Sequence, residues 1–328
     1  MRRYLFVFLL PWLCGSAQAK EISLLLIPSY GPSQWNKKIA KGLAKEVAPE
    51  VKITEFKFNI YPESLRTASE TENEKRRLQN YLSHKKPDII VIADDEAADF
   101  FLANIKWHKP IFFTGINQSA TGFLKKASAR PNFTGIFEKP ALAESVELIK
   151  DLSKQNSLTI NILLSPVSSS KYIIKEIKQF FAANDDIKIG KILSSSSWSR
   201  WQQFVKDSNY SADALWIFSP WRIKNDQGQS INKSAAGDWL TENILIPSLS
   251  SCDLSTFTGA MASISITPEL LGREVGKLIT RHLDKKIAVK DIPMQSTKLG
   301  EIMINLRATD RIGIQVPIEI LEYATVLE

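Results

Sequence analysis

The sequence predicts an α/β protein of two Rossmann-like lobes with parallel central sheets, joined by a hinge that the chain crosses three times. Three observations predict it. Strand and helix signals alternate through residues 22–115, pause at a stretch punctuated by Pro, Asn and Gly, and restart from residue 142. The strands read as continuous apolar runs, as expected where helices cover both faces of a sheet. The 328 residues exceed one small domain and suit two lobes that each bury a core.

In the first half, "ISLLLI" (22–27) is a buried strand, and Ile39, Leu43 and Val47 recur at helical spacing. Phe56, Phe58 and Ile60 alternate with Glu55, Lys57 and Asn59, which reads as the second strand. Leu78, Tyr81 and Leu82 share a helix face that Pro87 closes, and "DIIVIA" (88–93) and "PIFFTG" (110–115) follow as strands. "RPNFTGIF" (130–137) is extended and suits a crossing between lobes.

In the second half, Leu142, Val146, Ile149 and Leu152 line a helix, "LTINILL" (158–164) is a strand, and Ile173, Ile177 and Phe180 line another helix. "IKIGKIL" (187–193), "ADALWIF" (212–218) and "GAMASISIT" (259–267) are further strands; residues 268–283 form a helix with Pro268 in its first turn. The terminal segment holds a strand, a short helix broken by Gly313, a stop at Pro317 and a last amphipathic turn. The lobes are expected to span 20–136 with about 268–294, and 137–267 with about 295–328.

Residues 1–19 separate from the rest. Arg2 and Arg3 precede the apolar run Tyr4 to Cys14, and Ala17-Gln18-Ala19 offers small residues for cleavage, the pattern of a secretory signal peptide. The apolar run is about half of the roughly 20 residues a spanning helix needs, and bulky Trp12 and Leu13 before Cys14 disfavour lipid attachment. A periplasmic location is expected. Cleavage leaves Cys252 as the single cysteine, so no intrachain disulfide forms; a small, partly buried hydrophobe is the reading preferred over a reactive thiol.

Removing Arg2 and Arg3 from the 42 basic residues leaves 40 against 35 acidic ones, a net of +5. The charges are scattered, with no basic stripe interleaved with aromatics, which argues against a nucleic-acid partner.

In an open parallel sheet, ligands collect beyond the carboxyl ends of the strands, where loop backbones and helix N-termini converge. That edge supplies Ser29, Tyr30, Gln34, Trp35, Asp94, Asp95, Glu96, Asn117 and Gln118 in the first lobe. In the second it supplies Ser165, Ser168, Ser169, Ser219, Trp221 and Asp253, with Cys252 beside the last. Tyr30 suits stacking on a planar ligand. The three acids suit either a helix N-terminus or a ligand ammonium group, the serines suit helix caps equally well, and Trp35 and Trp221 suit packing as well as a cleft wall.

Catalytic patterns are absent: there is no G-x-S-x-G, P-loop or G-x-G-x-x-G, and His84, His108 and His282 fall away from the strand ends. No enzyme activity, metal or cofactor is expected.

Three stretches carry a resemblance to the type I periplasmic solute-binding proteins, and within them to the ABC transporter substrate-binding group that includes aromatic amino-acid binders. "RPNFTGI" (130–136) resembles that group's N-x-T-G crossover, "GAMASISITPELLGREVGKL" (259–278) its strand and Gly-Arg helix, and "INLRATDRIGIQVPIEILEYATVL" (304–327) its terminal N-L-x-x-A-x-x-x-G-x-x-[IV]-P signature. The small-residue spacing is altered, since Thr309 takes the Ala position and the Ala arrives one residue early as Ala308. Where members commonly show Thr-Pro-Ala after the third strand, Asp95-Glu96-Ala97 stands here; where they tend to have Asp-Pro after the fourth, Gln118-Ser119 stands here. The resemblance implies a monomeric clamshell that closes on a small-molecule solute, amino acid-like or amine-bearing, for delivery to an ABC permease. The alternative is a sensing subunit that regulates a membrane histidine kinase or diguanylate cyclase. An acid at position 95 favours an amine and disfavours a carboxylate nearby.

Overall fold

The computed structural model describes residues 21–118, 120–127, 132–167, 169–254, 257, 259–297 and 300–328. The leader assigned to residues 1–19 lies outside them.

The first lobe opens with β1 (Ile22–Pro28), buried from Leu24 onward because both its faces are covered. Ser33 then caps α1 (Gln34–Glu46) by accepting the Asn36 N–H, and β2 (Val51–Glu55) follows. The second helix, α2 (Ala68–Lys85), starts at a capping box in which Thr67 and Glu70 satisfy each other's backbone N–H groups. The sequence continues through β3 (Ile89–Ala93), α3 (Asp95–Asn104), β4 (Ile111–Ile116), α4 (Ala120–Ala127) and β5 (Phe133–Phe137).

The second lobe runs through α5 (Leu142–Ser153), β6 (Leu158–Leu164), α6 (Ser170–Ala182), β7 (Ile187–Ser194), α7 (Trp198–Ser208), β8 (Ala214–Phe218), α8 (Lys233–Asn243), β9 (Ser248–Ser250) and β10 (Ala262–Ser265). The chain then returns to the first lobe as α9 (Pro268–Asp284) and β11 (Gln295–Ser296). It finishes in the second lobe with β12 (Glu301–Asn305), α10 (Leu306–Arg311), α11 (Ile318–Leu321) and β13 (Thr325–Leu327).

The first sheet has the order β11-β5-β4-β3-β1-β2 and is parallel throughout. The second has the order β13-β12-β10-β9-β8-β6-β7 and is parallel except where β12 runs against β10. Successive strand residues face opposite sides, so the central first-lobe strands feed two cores. Leu25, Ile27, Ile90, Ile92 and Phe113 pack on one face, and Leu24, Leu26, Val91 and Phe112 on the other.

The chain passes between lobes after Phe137, around Ile266 and after Thr297. The crossings are tied together: the Thr297 N–H donates to the Phe137 carbonyl at 2.9 Å, the Lys139 N–H donates to Thr297 Oγ1 at 3.1 Å, and Thr267 Oγ1 donates to Glu301 at 3.3 Å. Helix α9 is locked onto α1 at closest approach. A Cβ on Gly42 would stand 2.1 Å from the Glu269 carbonyl oxygen, and one on Gly272 2.1 Å from that of Ile39. Only glycine permits such proximity at these two positions.

Several sequence expectations are corrected. The second strand is Val51–Glu55, not the alternating stretch that follows it. Phe56 and Phe58 are buried by aromatic packing on Tyr81 and Phe100 from an irregular segment. Residues 133–137 form a strand of the first sheet, and the crossing comes after them. Pro317 sits at the N-cap of α11 instead of stopping a helix, where its missing N–H costs nothing. No helix among the described residues is long and apolar enough to cross a membrane.

Candidate functional site

The carboxyl ends of β1, β3, β4 and β5 converge on one edge of the first lobe and bring acidic side chains together. Asp94 follows β3 with φ of 71°, an uncommon conformation for a non-glycine residue, and is 3% exposed. The Trp35 indole N–H donates to both its carboxylate oxygens, at 3.3 and 3.2 Å. Gly115, itself at φ +72°, leaves the space, since a Cβ there would lie 2.7 Å from Asp94 Oδ1. Burial, and then the charges of Glu138, Glu96 and Asp95, hold the Asp94 carboxyl well above the usual carboxylate range.

Asp95 is fixed differently. Its oxygens accept the backbone N–H groups of Asn117 and Gln118, both at 3.2 Å, closing the loop after β4 onto the start of α3. Burial raises its pKa to about 6 against those two N–H bonds. Glu138, the first residue after β5, has its pKa pushed up to about 8 by burial and by the Asp95 charge, with the Asn117 side-chain amide 3.5 Å away as its donor. Half-buried Tyr30 sits among these acids; burial and the surrounding charges, Asp94 foremost, raise its phenol well above the usual range. Asp94, Asp95 and Glu138 form no ion pair among the described residues.

The second lobe meets this edge through the loops after β8 and β9. Cys252 is half-buried, its thiol pushed up to about 12 by burial, with the Glu138 carboxylate across the cleft adding to the rise. Asp253 pairs with Lys38 of α1 at 3.3 Å, and Arg222 pairs with Glu63 at 2.8 Å. The two rims face each other.

The remaining sequence-selected residues divide by what their polar atoms already do. Ser29 donates to the Ala93 carbonyl and accepts the Ala97 N–H, joining β1, β3 and α3 within the first lobe. Beyond its backbone bond to Asp95, Gln118 uses its side-chain amide to donate to Asp99 and accept from Lys126. Ser165 bonds the Ser219 carbonyl and accepts the Trp221 N–H, so this pair shapes the loop after β8. Ser219 is itself left-handed, with φ of 45°. Trp221 packs into the core beneath that loop, with the Lys233 ammonium 4.8 Å from its ring centroid. Ser169 occupies the cap position of α6 without a side-chain capping bond, because its backbone is already helical. Gln34 is exposed at the start of α1, and Ser168 and Ser119 lie outside the described residues. Glu96 is half-buried in the first turn of α3.

Sequence reasoning did not select Glu138, Lys38, Glu63 or Arg222. Glu138 had one legible signal, an acid directly after the apolar strand "FTGIF". Two surface depressions, one lined by Glu147, Lys150, Asp151 and Asp186 and the other by Phe56, Arg77, Tyr81 and His84, lie outside the cleft.

The family model described as "ABC transporter substrate binding protein" matches residues 31–327. The structure is similar to the crystal structure of an ABC domain in complex with L-Trp from Streptococcus pneumonia, with 22% identity, a TM-score of 0.61, and coverage of 94% of this chain and 100% of that one. It is similar to the ligand-free, open structure of a substrate binding protein with adhesive properties from Clostridium difficile, with 16% identity, a TM-score of 0.69, and coverage of 94% and 99%. A solute binding protein from Rhodopseudomonas palustris in complex with 3,4-dihydroxy benzoic acid shares 16% identity at a TM-score of 0.55, covering 82% and 83%. No match is found among curated proteins.

Proposed function

The chain belongs to the ABC transporter substrate binding proteins, and from that premise we propose that it binds a small amine-bearing solute between its lobes. Hinge closure around the solute then presents it to membrane permease subunits, outside the cytoplasmic membrane if residues 1–19 direct export. No covalent step is required.

One observation carries the choice of solute: the acids gathered around Tyr30 at the first-lobe rim, with the carboxyls of Asp94 and Glu138 raised above the usual carboxylate range by burial. Burying carboxylates without a cation is costly, and an entering ammonium group removes that cost by supplying charge-assisted hydrogen bonds. A ligand carboxylate at the same rim would add repulsion. The ring of Tyr30 provides an apolar wall for the rest of the solute.

Titration calorimetry with matched pairs tests this reading: an aromatic or aliphatic amine, the corresponding amino acid and the corresponding acid without the amine. The amine is expected to bind most tightly and the amine-free acid least. Tighter binding of the amine-free acid would overturn the assignment of solute class.

A further inference from the structure

We propose that two ion pairs, Lys38 with Asp253 and Glu63 with Arg222, act as latches that hold the lobes closed. Each pair joins residues far apart in the chain, by 215 positions in the first and 159 in the second, with one partner on each lobe. The contacts are 3.3 and 2.8 Å.

Their placement ties them to the cleft and not to the general surface. Lys38 lies one helical turn after Trp35, and the Glu63 N–H donates to the Ser29 carbonyl at 3.4 Å, so both first-lobe partners flank the loop that carries Tyr30. Across the cleft, Arg222 directly follows Trp221 and Asp253 directly follows Cys252. The acids are the sheltered members, 14% and 20% exposed, while Lys38 and Arg222 are 40% and 58% exposed. Opening the lobes separates both pairs and returns four charges to water.

The backbone supports the same assignment. Arg222 has φ of 59° and Ser219 φ of 45°, left-handed conformations that cost a non-glycine residue energy. This short loop therefore holds two unfavourable conformations in the segment that presents Arg222 to Glu63. Strain of this kind collects in elements with a functional position to hold.

Partly exposed pairs are individually weak and screened by salt. Together the two are expected to shift the closed-to-open ratio by about tenfold, and to lose that effect as the Debye length falls from about 10 Å at 0.1 M salt to about 3 Å at 1 M. The latch is independent of the solute, so it is tested without one.

Small-angle scattering on the exported, ligand-free chain gives the readout. The radius of gyration of the wild type is expected to rise between low and high salt. That of the K38Q/R222Q variant should match the high-salt wild type already at low salt, and K38D/D253K should restore the low-salt wild-type value. A melting temperature within a few degrees of wild type would establish that the variants are folded. A salt-independent wild type, or a K38Q/R222Q variant indistinguishable from it at every salt concentration, overturns the proposal.

Discussion

Asp94 combines three uncommon properties: a left-handed backbone, near-complete burial and a tryptophan N–H as its side-chain donor. Replacing it with asparagine keeps the side chain's size and shape and removes the buried carboxyl. Asp94→Asn is therefore expected to raise the melting temperature while weakening amine binding by about 1.5–3 kcal/mol, the worth of a hydrogen bond to a charged group. Thermal unfolding and calorimetry on the same sample check both directions. Tyr30→Ala should weaken binding by about 1 kcal/mol or more through loss of the aromatic wall; unchanged affinity would remove Tyr30 from the site.

The raised carboxyls also set a pH dependence. Glu138 titrates near 8 in the folded protein against a usual 4.5, and Asp95 near 6 against 3.8. The folded state thus holds protons that the unfolded state has released. Stability of the ligand-free protein should fall as pH rises from about 4 to 8, with the Asp95 contribution lost by about pH 6. An amine prefers the ionised carboxylates, so its affinity should rise over pH 6–8 with release of protons on binding. Melting curves and calorimetry in buffers of different ionisation enthalpy measure these opposite trends.

At the scale of elements, the contact of α1 with α9 is the most demanding. Gly272→Ala is expected to destabilise by about 1–3 kcal/mol, because the new methyl meets a backbone carbonyl that cannot rotate away. Urea unfolding at fixed pH measures it. Elements with continuous buried runs, such as β1, β3 and β6, were legible in the sequence, as was α9 with its Pro268 start. The edge strand β2 was not: its burial alternates weakly, and the stronger alternation of Phe56 and Phe58 comes from aromatic packing outside any strand. Strands β9, β11 and β13 are two or three residues long, too short for any periodicity. The rim residues after β1 and β3 were readable because strand ends announce them. Glu138 needed knowledge that "RPNFTGIF" ends in a strand, and the partners of Asp253 and Glu63 depend on lobe placement that no local pattern encodes.

For the whole molecule, the family match and the paired parallel sheets agree with the clamshell read from the doubled β-α pattern. The sensing alternative gains no support from these likenesses. If closure accompanies binding, a saturating amine should lower the radius of gyration and blunt the salt response expected of the ion pairs, since the solute then supplies part of the closing free energy.

The return of α9 and β11 to the first sheet has a consequence for biogenesis. While a ribosome is still making residues 1–267, the α1 face that receives Gly272 stays bare, and the sheet edge beyond β5 lacks its last strand. The first lobe therefore completes its packing only after residues 268–296 have been made. Were residues 1–19 to direct export, a channel that accepts only unfolded chains would be served by such a delay.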